Sequence, residues 1–195
     1  MGVHGAFDQA MTDVSGILHI AIIMPTSPNP YDTINPLAQG TLGLLNAAAK
    51  SGTVRRFDLT SSSHPVAPPH TRERPVVDEN TFNKAAGSVF WSEMSSEPPG
   101  RRFMAIYAAS KVCLELAVRG WVDSQRDHGG VKDNYVIPSA NFGPTLHKDH
   151  PGSIPWSWPT ALYEGRPRDI LVPTQYYIDL ITPTCGLLLH SEYLL

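Results

Sequence analysis

Segments with strand-like and helix-like patterns alternate along the first part of the chain. The apolar run Ile17–Ala21 predicts a buried strand, and Asn35–Pro36 predicts the start of a helix that ends near Gly52. Arg55–Ser63 predicts a second strand, with a cluster of serines at its carboxyl end. A strand, a helix and a strand in succession predict a parallel sheet, so the expected fold class is α/β.

The same criteria predict further elements on both sides of this unit. A stretch with six prolines, residues 64–102, has little periodicity and is of the length and irregularity that usually accompany function. The other predicted elements are a short helix at Ala6–Val14, a helix from Met104 to about Val122, a strand at Asn134–Pro138, a helix near Trp158–Gly165 and a short strand at Gln175–Leu180.

Composition limits the classes of function. The 195 residues, 42% of them hydrophobic, suit a globular domain, and a formal charge of −3 gives no basic surface for nucleic acid or an anionic membrane. Two cysteines, Cys113 and Cys185, cannot form a disulfide scaffold, no Cys/His cluster has zinc spacing, and the start of the chain does not resemble a secretory signal. The apolar run Ile17–Met24 is far shorter than the ~20 residues of a membrane-spanning helix. We expect a soluble, cytoplasmic protein.

Tyr107 and Lys111 are the residues with the clearest potential for chemistry. Residues four apart on a helix share a face, so the phenol and the ammonium can share a site. A nearby lysine, together with a cationic nicotinamide, is expected to lower the pKa of the phenol from ~10 and make it a usable proton donor or acceptor. The spacing alone also occurs by chance, so it carries little weight without a second feature.

The serine cluster supplies that second feature, because catalytic groups of open parallel sheets gather at the carboxyl ends of the strands. The hydroxyl of Ser62 can hydrogen-bond a carbonyl oxygen of a substrate while Tyr107 supplies the proton. Such a cluster can equally serve only to cap a strand or begin a turn. A serine hydrolase built on Ser62 and a histidine is disfavoured because the chain has no Gly-x-Ser-x-Gly elbow, and scattered single histidines disfavour a metal enzyme.

Taken in order, the segments resemble a known family. The chain is similar to the extended short-chain dehydrogenases/reductases of the NAD-dependent epimerase/dehydratase superfamily, in the branch of fungal aldehyde and ketone reductases and plant dihydroflavonol reductases. The resemblance spans about residues 5 to 180, and most of its specificity lies in Tyr107-Ala108-Ala109-Ser110-Lys111 and Leu59-Thr60-Ser61-Ser62-Ser63. The other matching segments are Gly16–Ala21, Gly40–Leu42, Arg55–Phe57, Asp78–Thr81, Pro138–Pro144 and Gln175–Tyr177.

The resemblance implies a reductase that transfers hydride from nicotinamide to an aldehyde or ketone, with NADPH expected more often than NADH and a small-molecule carbonyl compound as substrate. It makes Tyr107 the proton donor, Lys111 the ligand of the nicotinamide ribose and Ser62 the partner of the carbonyl oxygen. The cofactor-binding residues implied by the resemblance are Ala21, Ser61, Tyr107, Lys111, Pro138 and Ser139.

Several positions depart from the family pattern. No Gly-rich turn follows a strand: Gly2–Gly5 is preceded only by Met1, and Gly40–Gly43 lies inside a helical pattern. The first half of the nucleotide-binding sheet is therefore expected to be missing, which would leave the strand Ile17–Ala21 at an edge. Asp58 is also unexpected, since buried parallel strands are usually apolar throughout.

The expected organisation is a partial Rossmann-type doubly wound parallel sheet flanked by helices. Residues 1–145 are assigned to a partial NAD(P)-binding domain and residues 146–195 to the start of a substrate-binding region. Two functions stay open: an NAD(P)H-dependent reductase of an aldehyde or ketone, and a catalytically impaired, truncated homologue that does not bind the cofactor by itself. Substrate identity and oligomeric state are not specified by the sequence.

Overall fold

The structure is a computed structural model that describes residues 5–66, 76, 78, 80–81, 99–125, 130–143, 147, 149, 154–166 and 177–179. These residues divide into two compact units, with the boundary between positions 137 and 138. The first unit contains β1 (Gly16–His19), α1 (Tyr31–Ser51), β2 (Arg56–Thr60), α2 (Pro99–Gln125) and β3 (Lys132–Val136). The second contains β4 (Ala140–Phe142), α3 (Ile154–Tyr163) and β5 (Tyr177–Asp179).

The sheet of the first unit has the order β1-β2-β3, and both neighbouring pairs are parallel. Among the described residues β1 is therefore an end strand, as the sequence predicted. The fold class is confirmed as α/β, with a parallel sheet flanked by helices. In the second unit β4 pairs with β5 in parallel. The domain assignment with its boundary at residue 145 stays a prediction.

Side chains along β2 alternate between the two faces of the sheet, and the two sets differ in character. Phe57 and Leu59 are buried against α1 and α2, and their largest neighbours include Leu45 and Leu114. Burial of such side chains contributes roughly 1.5–3 kcal/mol each, so this cluster stabilises the packing of the helices on the sheet.

Asp58 lies on the other face of β2, where its neighbours in the register are Leu18 and Asn134. The Asn134 side chain donates a hydrogen bond of 2.7 Å to the carboxylate of Asp58. This cross-strand bond explains how β2 carries a buried acidic residue, because the polar group has a partner on the adjacent strand.

Several predicted boundaries need correction. The helix α1 begins at Tyr31 rather than at Asn35, so Pro36 lies inside it. The start is fixed further upstream because the Asn29 side chain accepts a hydrogen bond from the backbone N–H of Tyr31, and the acidic Asp32 stands in the first turn. Pro36 is the sixth residue of α1, beyond the first turn, so it leaves the carbonyl oxygen of Asp32 without the usual backbone donor.

The end of α1 at Gly52 is confirmed, and its φ of 67° explains why glycine closes the helix. At the amino end, the helix predicted for Ala6–Val14 is wrong in type: the segment forms turns and one 3-10 turn at Gln9–Met11. The helix α2 extends beyond its predicted limits at both ends. The four-residue β1 is shorter than predicted and ends at His19. The short strand β5 lies within the predicted segment Gln175–Leu180, of which positions 175, 176 and 180 are outside the described residues.

Most of the proline-rich stretch predicted to be irregular, residues 64–102, is outside the described residues. In the part of the chain that the structure describes, no helix is long and apolar enough to cross a membrane.

Candidate active site

The carboxyl end of β2 is a polar site built on an apolar strand. Thr60 ends the strand, and the two serines that follow it, Ser61 and Ser62, are both buried. The backbone N–H of Ser61 donates a hydrogen bond of 2.8 Å to the carbonyl oxygen of Val136, where β3 ends. The serine cluster is thus anchored between two strand ends, at the edge where parallel sheets commonly carry chemistry.

One face of α2 supplies the other half of the site. Tyr107, Lys111, Glu115 and Arg119 follow one another at intervals of four residues, which places them along one side of the helix. We call these four residues the polar stripe. Lys111 is 3% exposed and Glu115 is 2% exposed, so the stripe faces protein rather than solvent over its central turn.

Tyr107 and Ser62 come together, as the sequence predicted. Burial raises the pKa of Tyr107 above its usual value, and a hydrogen bond with the Ser62 side chain opposes that rise. The phenol ring also meets the ring of His64 edge-on, with ring centroids 6.0 Å apart. Loss of hydration has the larger effect, so the phenol keeps its proton, and the lowering of its pKa beside a cationic nicotinamide stays a prediction.

Lys111 reaches the same strand end from one helical turn further along. Its Nζ donates a hydrogen bond of 2.7 Å to the backbone carbonyl oxygen of Thr60. Burial lowers the Lys111 pKa to about 8, and the negative charge of Glu115 limits the fall. Ser62, Tyr107 and Lys111 thus converge on the end of β2.

Ser61 has a different partner from the one expected. Its hydroxyl donates a hydrogen bond to Oε1 of Glu115. Burial raises the pKa of Glu115, while this bond and the positive charges of Arg119 and Lys111 oppose the rise. Ser61 therefore turns toward the buried carboxylate of α2, and Ser62 is the serine that contacts Tyr107.

Comparison with known proteins places the site in a family context. No protein-family model matches the chain. Aldehyde reductase 2 of Sporidiobolus salmonicolor is 31% identical over 181 residues, which cover 91% of this chain and 51% of that protein. A short-chain dehydrogenase/reductase superfamily protein of Agrobacterium tumefaciens, solved with bound NAD, has the same fold, with a TM-score of 0.62, 20% identity, and coverage of 96% of this chain and 59% of the other.

The chain is a homologue of the short-chain dehydrogenases/reductases. It spans about half the length of the first curated relatives that it matches. Gre2 of Candida albicans supports the same fold, with a TM-score of 0.69, 19% identity and coverage of 93% of this chain and 54% of that one. Gre2 has also been solved in complex with NADPH.

Two residues of this short-chain dehydrogenase/reductase homologue were not singled out from the sequence. His64 lies beside the catalytic candidates, with its Nδ1 3.4 Å from the hydroxyl oxygen of Ser62. Burial lowers the pKa of His64, so the ring is neutral at pH 7. Glu115 could have been found from its position four residues after Lys111, but the spacing alone does not distinguish a buried carboxylate from a surface ion pair.

The remaining predicted cofactor ligands belong to other segments of the chain. Ala21 is exposed in the segment that follows β1, next to the end of the strand adjacent to β2. Pro138 and Ser139 belong to the second unit, where they precede β4. Their role stays a prediction.

The donor set of the cluster suits the nicotinamide ribose. An ammonium carries three N–H donors, and the bond to the Thr60 carbonyl uses one of those on Lys111, leaving donors for sugar hydroxyls. The positive charge and the phenol of Tyr107 stand at the same edge of the sheet. The residues therefore fit the reacting end of a nicotinamide dinucleotide.

Proposed function

We propose that this chain is an NAD(P)H-dependent reductase of an aldehyde or ketone. The observation that carries the proposal is the convergence of Ser62, Tyr107 and Lys111 at the carboxyl end of β2. A hydroxyl, a phenol and an ammonium at one strand end can bind a carbonyl oxygen and deliver a proton to it. The relative named an aldehyde reductase supports the same chemistry.

Tyr107 acts as the proton donor. Because burial raises its pKa, the phenol is protonated at neutral pH, and this is the form a donor requires. The hydroxyl of Ser62 hydrogen-bonds the carbonyl oxygen and stabilises the negative charge that develops there. The reduced nicotinamide, when bound, supplies the hydride. The proton then passes from the phenol oxygen of Tyr107 to the new alkoxide.

Lys111 binds and orients the nicotinamide ribose of the cofactor. Its ammonium is fixed at the Thr60 carbonyl and directs its other donors to the ribose hydroxyls. It also favours the phenolate that Tyr107 becomes after donating its proton, since opposite charges attract strongly where water is excluded. The family resemblance also implies Ala21, Ser61, Pro138 and Ser139 as cofactor-binding residues.

NADPH is the cofactor we expect, with NAD less favoured. Gre2, which shares the fold, has been solved with NADPH, and the Agrobacterium tumefaciens protein with NAD. The substrate we propose is a small aldehyde or ketone, such as an intermediate of secondary metabolism, and the cytoplasm is the location we expect from the low cysteine count.

A fluorescence titration of the purified chain with NADPH tests the proposal, followed by an assay of NADPH consumption with a panel of small aldehydes and ketones. We expect saturable binding and carbonyl-dependent consumption. Lys111→Met should weaken NADPH binding by about tenfold or more, because it removes a charge-assisted hydrogen bond.

Lys132→Met is the matched control, since Lys132 is exposed and begins β3, at the opposite end of that strand from the site. It should leave binding unchanged. Absence of saturable binding at millimolar NADPH would reject the reductase and favour a homologue that does not hold the cofactor by itself.

A further inference from the structure

Glu115 is a buried acidic residue that the proposed reaction does not use. It is 2% exposed and lies on α2 one turn beyond Lys111. Burying a carboxylate is costly unless charges and hydrogen bonds compensate, so a residue of this kind needs a set of partners. Its partners are Ser61, Lys111 and Arg119.

Two of those partners, Ser61 and Lys111, connect Glu115 to the candidate active site. The Ser61 hydroxyl bonds to Glu115, and the Ser61 backbone bonds to Val136, so Ser61 is held at both its side chain and its backbone. Ser62 is the next residue in the chain after Ser61. Lys111 is held at the carbonyl oxygen of Thr60, the residue before Ser61. Glu115 thus bonds to Ser61 directly and interacts electrostatically with the lysine that bonds to Thr60.

We propose that Glu115 is a positioning residue of the reductase, acting through the Lys111 ammonium and the Ser61 hydroxyl. This inference rests on the proposed function for its catalytic part. Its electrostatic part does not depend on that function: the Glu115 carboxylate maintains the positive charge on Lys111. The bond to Ser61 fixes the backbone from which Ser62 reaches Tyr107.

Several titratable or charged groups lie around Lys111 and Glu115 among the described residues. Burial alone would lower the pKa of Lys111 further, and Glu115 is the group that opposes it. Removal of the Glu115 charge should therefore lower the Lys111 pKa below about 8. The other titratable or charged groups that face the pair or its neighbours are His19 of β1, His64 after β2, Asp133 and Tyr135 of β3, and Tyr107 and Arg119 of α2. The helix α1 contributes a neutral group, the Thr41 hydroxyl, which lies 3.0 Å from His19 Nε2.

Titration of Lys111 by NMR tests the electrostatic part without requiring activity. The chain has five lysines, so [13Cε]lysine labelling gives a spectrum simple enough to assign by substitution. We expect the Lys111 midpoint to fall by about one pH unit in Glu115→Gln, which keeps the shape of the side chain and removes its charge. Asp123→Asn, the same charge change at an exposed position of α2, should leave the midpoint unchanged. An unchanged midpoint in Glu115→Gln would overturn the inference.

Ser61→Ala tests the second contact and removes a single oxygen, so the fold is preserved even if Glu115→Gln does not fold. Loss of the Ser61 hydroxyl should raise the pKa of the Glu115 carboxyl, read by [13Cδ]glutamate NMR. An unaltered Glu115 titration would contradict the proposed contact.

The catalytic part is read from the pH profile of kcat. In Glu115→Gln the upper limb should move to lower pH while KM for the carbonyl substrate changes little, an effect that a merely structural role would not produce. If the wild-type chain reduces no carbonyl compound, the proposed function fails, while the NMR titrations still decide the role of Glu115. An unmoved upper limb in an active Glu115→Gln enzyme would overturn the positioning role.

Discussion

Two stripes of the same helix, α2, are buried for different reasons. Leu114, Val118 and Val122 form an apolar stripe within the core that contains Phe57. The polar stripe, one residue further along each turn, begins with Tyr107 and Lys111 and contacts the end of β2. Adjacent positions of one helix therefore pack into two different environments.

The apolar stripe stabilises the fold, whereas the polar stripe has a different role. Each apolar residue contributes roughly 1.5–3 kcal/mol by leaving water. A buried ammonium gains little, because its desolvation offsets most of its attraction to neighbouring charges. The polar stripe thus has no clear advantage for stability, and its arrangement around one strand end is better explained by chemistry.

The largest effect is expected from the apolar stripe. Leu114 is 1% exposed, and Leu114→Ala should lower the free energy of unfolding by about 4 kcal/mol, because it leaves a cavity between α2 and the sheet. Leu116, two residues away and 51% exposed, is the matched control: Leu116→Ala should cost less than about 0.5 kcal/mol. Urea denaturation followed by circular dichroism measures both. Similar losses for the two variants would contradict the position of the core.

A smaller, pH-dependent effect is expected from the polar stripe. The pKa of Lys111 is about 8 in the folded chain against 10.5 for an ordinary lysine. Below pH 8 both states are protonated, and the folded state bears the full cost of the buried charge. Between pH 8 and 10.5 the unfolded chain holds more protons, so stability rises with pH relative to a chain that lacks the ammonium.

Lys111→Met provides that reference. At pH 7 the variant avoids the cost of burying an ammonium but leaves Glu115 without one of its positive neighbours, so the informative quantity is the change with pH and not the value at pH 7. Between pH 8 and 10.5 the wild type should gain up to about 3 kcal/mol relative to the variant. Tyrosines that do not neighbour Lys111 ionise alike in both chains and cancel in the difference. A difference in unfolding free energy that does not vary with pH would show that Lys111 is not buried as an ammonium.

The sequence predicted the elements that periodicity specifies. Strand-like and amphipathic residue patterns, together with glycine and proline stops, identified the three strands of the first unit, α2 and the end of α1 at Gly52. The start of α1 was misplaced because Asn35–Pro36 imitates a capping sequence, whereas the side chain of Asn29 supplies the actual bond. Such a choice depends on local geometry that composition does not reveal.

The candidate site was predictable in its main members and not in its partners. The spacing of Tyr107 and Lys111 and the position of Ser62 at a strand end identify three residues that the structure brings together. His64 and Glu115 could not be identified in this way. The position of His64 depends on the path of the turn after β2, and that of Glu115 on a contact between segments distant in sequence. Burial of Tyr107, which raises its pKa in the folded chain, could not be predicted from the spacing of residues along a helix.

Replacement of one tyrosine oxygen tests the central claim most directly. Tyr107→Phe removes the proposed proton donor, and Tyr163→Phe removes the same atom from a side chain that is 94% exposed. The measurement is kcat for NADPH-dependent carbonyl reduction, with NADPH affinity determined alongside. We predict that Tyr107→Phe reduces kcat by about 10²–10⁴-fold at nearly unchanged NADPH affinity, and that Tyr163→Phe is as active as the wild type. Equal rates for the two variants would contradict the assignment of Tyr107 as the proton donor.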